Sequence, residues 1–279
     1  MYLITVLGNL LIILTVSCVS HLHTLYLFLS NLSFADICFI STTVPNMIVN
    51  IQTHKRVISY ESCVTQMSFF AIFGCMDDLM TVMAYDHYVA ICYLLNYMVI
   101  MNTQHCAFLV LLCFLFSLLD SQLHNLFILN PSYFKDVEIS NFFCDLSQLI
   151  NLACPDMFAN NIIMYFTGTI FGFLPISGII CSYYEIISSI LKMPNTRGKY
   201  KAFSTCGSHL LLVCLFYGTS LGTYLFSDVS SFPRESAVAF VIYTVVTPML
   251  NPFIYSLRNR DIRSALRILY NRTCSGSSI

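Results

Sequence analysis

The sequence predicts an all-α membrane protein: one bundle of seven transmembrane helices over residues 1–279, closed by a short amphipathic helix. Three observations predict it. Of the 279 residues, 57% are hydrophobic and only 10% charged, and the mean hydropathy is +0.74. A soluble domain carries about 25% charged residues, so this chain lacks the polar surface to cover a water-soluble globule. The apolar residues also gather into long runs with little alternation, which fits spanning helices better than barrel strands. Lysine and arginine, finally, concentrate in two of the gaps between runs.

The first run covers residues 2–19, and no Asp, Glu, Lys or Arg precedes Asp36. A signal peptide is the alternative reading of that run, but it lacks a basic leading segment and a small-residue cleavage site. SHLHT, residues 20–24, separates it from the second run at 25–49. The third is 63–92, the fourth 106–129, the fifth 157–191, the sixth 203–226 and the seventh 237–257. A bilayer span needs about 20 mostly apolar residues, so these runs suffice. The seventh contains TPMLNPFIY, in which Pro248 and Pro252 each remove a backbone hydrogen bond. That predicts a bend, with Asn251 available as a donor to a freed carbonyl. Next, within 258–270, Ile262, Ala265, Leu266 and Leu269 share one helical face and arginines line the other. Such a helix lies in the membrane interface.

Basic residues set the orientation. Lys192, Arg197, Lys199 and Lys201 lie between runs five and six, and Arg258, Arg260, Arg263, Arg267 and Arg272 follow run seven. Lys55, Arg56, Lys135 and Arg234 fall on the opposite side. Cytoplasmic loops carry the excess, so the amino terminus faces outside and the carboxyl terminus is cytoplasmic.

Most of the 13 cysteines lie inside apolar runs, where a thiol acts as a small hydrophobe. Cys63, at the start of run three, and Cys144 and Cys154, in the loop 130–156, face the oxidising side. A bridge from Cys63 into that loop would tie it across the mouth of the bundle. Inside the membrane stand Asp36, Asp77 and Asp78, joined by the amides Asn9 and Asn251. Intramembrane acids usually face the bundle interior. Such a cluster can hold a monovalent cation, or each acid can be protonated or hydrogen-bonded to a neighbour. A transporter is the rival reading of these acids, but the inverted internal symmetry it predicts is missing. HExxH, GxxxxGK[ST] and GxGxxG motifs are absent, so no enzyme is indicated. A net charge of −1 gives no field to recruit nucleic acid.

Several segments together resemble the olfactory receptors, class A G-protein-coupled receptors. They are Gly8–Asn9, LHT with LYLFLSNLSFAD up to Asp36, MAYDHYVAIC at 83–92, SYYEIISSILKMP with KAFSTCGSHL, and PMLNPFIYSLRNRD. The resemblance covers nearly the whole chain. It implies a plasma-membrane receptor that binds small volatile odorants within the bundle and activates a stimulatory heterotrimeric G protein. It assigns a disulfide to Cys63 and Cys144, with Cys154 the alternative partner. It associates Asp36 and Asp77 with a sodium ion, and no other cofactor is implied. Asn251, Pro252 and Tyr255 match the NPxxY-type switch. Phe70, Ala71, Gly74 and Cys75 of run three, with Tyr217, Ser220 and Tyr224 of run six, match the odorant pocket.

The segment Asp86–His87–Tyr88 matches the Asp-Arg-Tyr motif that couples such receptors to the G protein. His87 stands where the family has arginine. Imidazole is shorter and lacks the bidentate fork, so Asp86 is expected to lose its permanent counter-charge. Run three also reads one residue short between Asp78 and Thr81, which would rotate everything beyond by about 100°. The Leu22–Tyr26 motif is one residue short, Phe134 replaces a second loop cysteine, and the chain begins inside run one. These departures are those of a degenerating member with impaired coupling. A non-signalling or endoplasmic-reticulum-retained protein of the same fold is the alternative.

Overall fold

A computed structural model describes residues 1–18, 25–53, 60–128, 162, 166–227, 238, 240–258, 262–264 and 266–267. Helix α1 is Tyr2–Cys18 and α2 is Leu25–Thr53. The third span is α3, Tyr60–Cys75, continued through a 3-10 turn, Met76–Asp78, into α4, Leu79–Cys92. A 3-10 turn at Leu94–Asn96 leads to the short α5, Tyr97–Ile100, and then to α6, Thr103–Ile128. A π-helical turn, Gly168–Phe173, opens α7, Leu174–Lys192. Helix α8 is Thr196–Ser227. A second π turn, Ile242–Val246, opens α9, Thr247–Arg258.

Among the described residues, five stretches are long and apolar enough to cross a bilayer: Tyr26–Val49, Glu61–Cys92, Thr103–Leu126, Gly168–Lys192 and Thr196–Gly222. The shorter apolar helices Tyr2–Ser17 and Ile242–Ile254 bring the number to seven. The outer faces remain apolar, with Leu3, Leu7 and Leu14 of α1, Phe108, Leu111 and Leu115 of α6, and Ile180 and Leu191 of α7 exposed. A bilayer, not water, suits that perimeter.

Local chemistry sets the helix ends. Asn102 Oδ1 accepts the His105 backbone N–H at 2.8 Å and caps α6. Met193 is extended, as the residue before Pro194 must be, and ends α7. Asn195 Oδ1 accepts the Arg197 N–H at 2.9 Å and starts α8. Helix α8 therefore begins before the expected start at 203. Residues 262–264 and 266–267 are helical, with Ile262 buried and Leu266 half-buried, whereas Arg263 and Arg267 are exposed. Ala265 and Leu269 lie outside the described residues.

Helix α4 occupies the centre. Its Leu79, Met80, Met83 and Ala84 are buried with Phe28 and Leu32 of α2, Ile186 and Ile190 of α7, and Leu212 of α8. In lipid no hydrophobic force draws helices together, so close packing does it. Gly178 allows the α4–α7 approach, since a Cβ there would lie 2.9 Å from Thr81 Cγ2. Thr81 Oγ1 also donates to the Pro175 carbonyl at 3.2 Å.

The 3-10 turn Met76–Asp78 directly precedes the point where the resemblance implies that the third span is a residue short. Each 3-10 residue turns about 20° further and rises about 0.5 Å more than an α residue. Three of them add about 60° and about 1.5 Å. A deleted α residue removes about 100° and 1.5 Å. If a residue is missing there, the turn would restore the length of the span and most of its rotation, leaving about 40° of the about 100° expected from the sequence.

The two prolines of the seventh span are accommodated from another helix. Pro252 has no N–H for the Pro248 carbonyl one turn earlier. Asn9 Nδ2 donates to that carbonyl at 3.3 Å, as well as to Thr5 O at 3.1 Å. Gly8 makes room, because a Cβ there would meet Pro252 Cβ and Cγ at 3.3 Å. Gly8 and Asn9 are thus a glycine for close approach and an amide for the orphan carbonyl. Asn251, one available donor for a freed carbonyl, donates to Asp36.

Candidate functional site

Aromatic rings from four spans form one cluster around Phe70 and Tyr243. Its ring centroid lies 4.8 Å from Phe39 of α2, 6.3 Å from Phe240 and 6.3 Å from Tyr243 in the seventh span. Phe39 meets Tyr243 edge-on at 5.6 Å, and Phe216 of α8 stands 5.2 Å from Tyr243. Edge-to-face and offset contacts at these spacings favour aromatic pairs. Gly74, one turn below Phe70, packs among these rings without a side chain; a Cβ there would make ordinary contacts, 3.4 Å from Phe39 Cε2 and 3.8 Å from the Tyr243 hydroxyl.

Of the sequence-predicted pocket residues, Phe70 and Gly74 are brought together here. Ala71 lies between them on α3 and is half-buried. Tyr217 reaches the group through its contact with Phe216 at 5.3 Å, and Ser220 is half-buried one turn further along α8. The side chains of Cys75 and Tyr224 lie outside the described residues. A separate groove of about 470 Å³ opens between α7 and α8, and Tyr217 lines it with Ile179, Tyr183 and Val213.

A second node joins α1, α2 and α9. Asn251 Nδ2 donates to Asp36 Oδ2 at 2.9 Å, and Asp36 is 4% exposed. Among the described residues, the amide oxygens of Asn251 and Asn9 are buried without a hydrogen-bond partner. Asp36, Asn251 and Asn9 thus present a set of hard oxygen donors. The Asp77 side chain lies outside the described residues. Asp78 turns the other way, toward Asp120 and Cys113 of α6. Asp120 is buried beside His124, with Oδ2 3.4 Å from Nδ1. Among the described residues no group of three His, Cys, Asp or Glu gathers to hold a metal.

The third node lies at the end of α4. Asp86 is 2% exposed, and the Tyr97 hydroxyl of α5 donates to its Oδ1 at 2.8 Å. The acid expected to lose its permanent counter-charge thus accepts a hydrogen bond from the helix that follows its own span. His87 faces inward, its Nδ1 2.6 Å from the Met83 carbonyl and its ring 5.3 Å from that of His209 in α8. The Tyr183 hydroxyl of α7 reaches both the Cys206 carbonyl at 3.0 Å and His209 Nδ1 at 2.9 Å. Tyr88 turns outward, its hydroxyl 3.3 Å from that of Tyr93. Pro252 is buried against α1, and the Tyr255 side chain lies outside the described residues.

Cys63 is fully buried and disulfide-bonded. Cys144 and Cys154, its expected partners, lie outside the described residues. Sequence reasoning does not single out Phe39, Phe216, Phe240, Tyr243, Tyr97, His209 or Asp120. For Asp120 the signal is present, an acid inside an apolar run. Phe240 and Tyr243, three apart, share a helical face. Tyr97 and His209 carry no local mark, because their partners come from other helices.

A family profile described as olfactory receptor matches residues 1–272. Olfactory receptor 7E24 of Homo sapiens is 68% identical over 98% of this chain and 81% of its own length. Olfactory receptor 7E178 of Mus musculus is 66% identical over 98% of this chain and 83% of its own. Olfactory receptor-like protein OLF4 of Canis lupus familiaris is 56% identical over 97% of this chain and 88% of its own.

Proposed function

The chain belongs to the olfactory receptor family, multi-pass membrane receptors for odorants that signal through G proteins and are not enzymes, and on that premise we propose how its interior does this work. A small volatile odorant occupies the aromatic basket at Phe70, Ala71 and Gly74, with Tyr217, Ser220 and, in the family pattern, Cys75 and Tyr224 completing the wall. The observation that carries this reading is the clustering of Phe39, Phe70, Phe216 and Tyr243 above Gly74, which brings no side chain beside the Tyr243 hydroxyl. Apolar walls with one or two hydroxyls suit a ligand of few polar atoms.

Tyr243 sits in the π turn that opens α9, so a ligand pressing on it acts on the span that carries Asn251 and Pro252. π turns inside helices are frequent at functional sites. Asp36, with the amide oxygens of Asn251 and Asn9, suits a sodium ion, a hard monovalent cation taken by oxygen ligands. Such an ion would favour one packing of α1, α2 and α9.

The excess of lysine and arginine in the loop and tail supports a cytoplasmic position for the end of α4 and all of α5, in a receptor of the plasma membrane. There Leu94, Leu95, Met98 and Val99 are exposed. They form an apolar ridge beside Asp86, His87 and Tyr88, against which a stimulatory G protein docks. His87 has no guanidinium fork to offer such a partner, so coupling is weak.

A tagged chain expressed in cells with a cAMP reporter and challenged with an odorant panel tests this reading. Gly74→Leu should abolish the response at unchanged surface level, because the side chain fills the space beside Phe39 and Tyr243. An unaltered response would overturn the pocket. A tail tag should stain only after permeabilisation, and staining of intact cells would reverse the orientation. Retention in the endoplasmic reticulum would place the defect before coupling.

A further inference from the structure

We propose that the groove between α7 and α8 is a second, lipid-facing site for the ligand class of the aromatic basket: a small apolar volatile without a headgroup, taken from the bilayer itself. The ligand class rests on the basket reading; the site stands on the groove alone. Its volume is about 470 Å³, within the range of about 300–1,000 Å³ for small-molecule sites. Ile179, Tyr183 and Val213 form a buried floor, and Ile180 and Tyr184 stand exposed on the rim. Among the described residues, no charged side chain lines it. The Tyr183 hydroxyl is already engaged with the Cys206 carbonyl and His209, so the floor itself is apolar. That bond joins the two helices one turn below Leu210, where the groove begins on α8.

Depth separates this occupant from a phospholipid. The groove runs along α7 from Ile176 to Ile187, about 16–17 Å of helix rise. In the span Gly168–Lys192, its two ends lie about 8–12 Å inside the ends of the helix. The hydrocarbon core is about 30 Å thick, so the groove straddles its middle, where the tails of both leaflets stop. A phospholipid held at the interface by its headgroup reaches only half of it. A short molecule without a headgroup dissolves at that depth and can fill it. Between apolar surfaces in lipid the gain comes from close packing, not from the hydrophobic effect. A concave wall that chain ends cover poorly favours a molecule able to touch floor and rim together.

The groove also shares a wall with the basket. Tyr217 lines the groove, and its ring meets Phe216 perpendicularly at 5.3 Å. Phe216 in turn stands 5.2 Å from Tyr243. A molecule in the groove therefore packs one ring away from the ligand in the basket.

The chain contains no tryptophan, so one introduced indole reports its own surroundings. Tyr184→Trp places it on the rim, and Cys181→Trp places it on the same helix, exposed but outside the groove. Each full-length variant in lipid nanodiscs is titrated with bromobenzene, whose bromine quenches a nearby indole. Quenching of Tyr184→Trp should saturate, whereas that of Cys181→Trp should rise in proportion to the bromobenzene dissolved in the lipid. Proportional quenching in both would overturn the site, because it reports partition into the bilayer only. Stronger quenching of Tyr184→Trp than of Cys181→Trp by a tail-brominated phosphatidylcholine would also overturn it, because a lipid tail then fills the groove. Filling the groove with Cys214→Phe should remove the saturating phase, and its persistence would refute the assignment. Gly74→Leu should leave that phase intact; its loss would place the bound molecule in the basket. A saturating phase beside an odorant response that Gly74→Leu leaves unaltered would refute the basket and leave the groove standing. Should Tyr184→Trp fail to fold, Ile180→Trp on the same rim replaces it.

Discussion

Replacing Gly178 by alanine tests the α4–α7 crossing directly. The new methyl would lie 2.9 Å from Thr81 Cγ2, against about 3.5–4.0 Å for relaxed carbon contacts. One side must retreat by about 0.6–1.1 Å. Thr81 cannot simply swing aside: its χ1 is stiff, and its Oγ1 is held by the Pro175 carbonyl at 3.2 Å. Overpacking of this kind costs about 1–3 kcal/mol. Alanine recovers up to about 1 kcal/mol of helix propensity. The net loss is therefore about 1 kcal/mol, or a Tm lower by about 2–4 °C, read by thermal unfolding in nanodiscs. Two controls isolate the cause. Gly218 has nothing within 4 Å of its Cβ position, so Gly218→Ala should be neutral or stabilising. Thr81→Ser removes Cγ2 but keeps the hydroxyl, so in that background Gly178→Ala should cost nothing. A Tm that rises in Gly178→Ala alone, or falls equally in both backgrounds, would refute the packing argument.

Asn251→Ala should destabilise by about 1–2 kcal/mol, between the ~0.6 average for intramembrane hydrogen bonds and the 1–3 of a stranded buried partner. The exchange Asp36→Asn with Asn251→Asp should recover most of it in the same unfolding assay, and no recovery would detach the cost from this pair. Tyr97→Phe should cost about 1 kcal/mol and speed hydrogen exchange at Tyr97–Ile100. Unchanged exchange would mean that α5 is not anchored through Asp86. Peptide mapping without reduction should recover Cys63 joined to Cys144, and a Cys63–Cys154 peptide would reassign the bridge.

The helical class and the seven spans are legible in the sequence because each rests on a local quantity. A segment in lipid must satisfy its own backbone hydrogen bonds, so an apolar run about 20 residues long declares a helix wherever it stands. The basic residues that indicate orientation are equally local. Asp36, His87, Asn251 and Pro252 could be singled out for the same reason, each being unusual within its own run. Their partners could not be read that way. Asn9 and Pro248 are 239 residues apart, and no local pattern says that the amide of run one, rather than Asn251, serves the carbonyl freed by Pro252. Nor does composition show that a 3-10 turn interrupts the third span at Met76–Asp78, that Tyr97 holds Asp86, or that His87 meets His209 across two spans. Run length and charge are sums over neighbours in the chain. Hydrogen-bond partners depend on which faces meet and at what height, and only the packed bundle decides that.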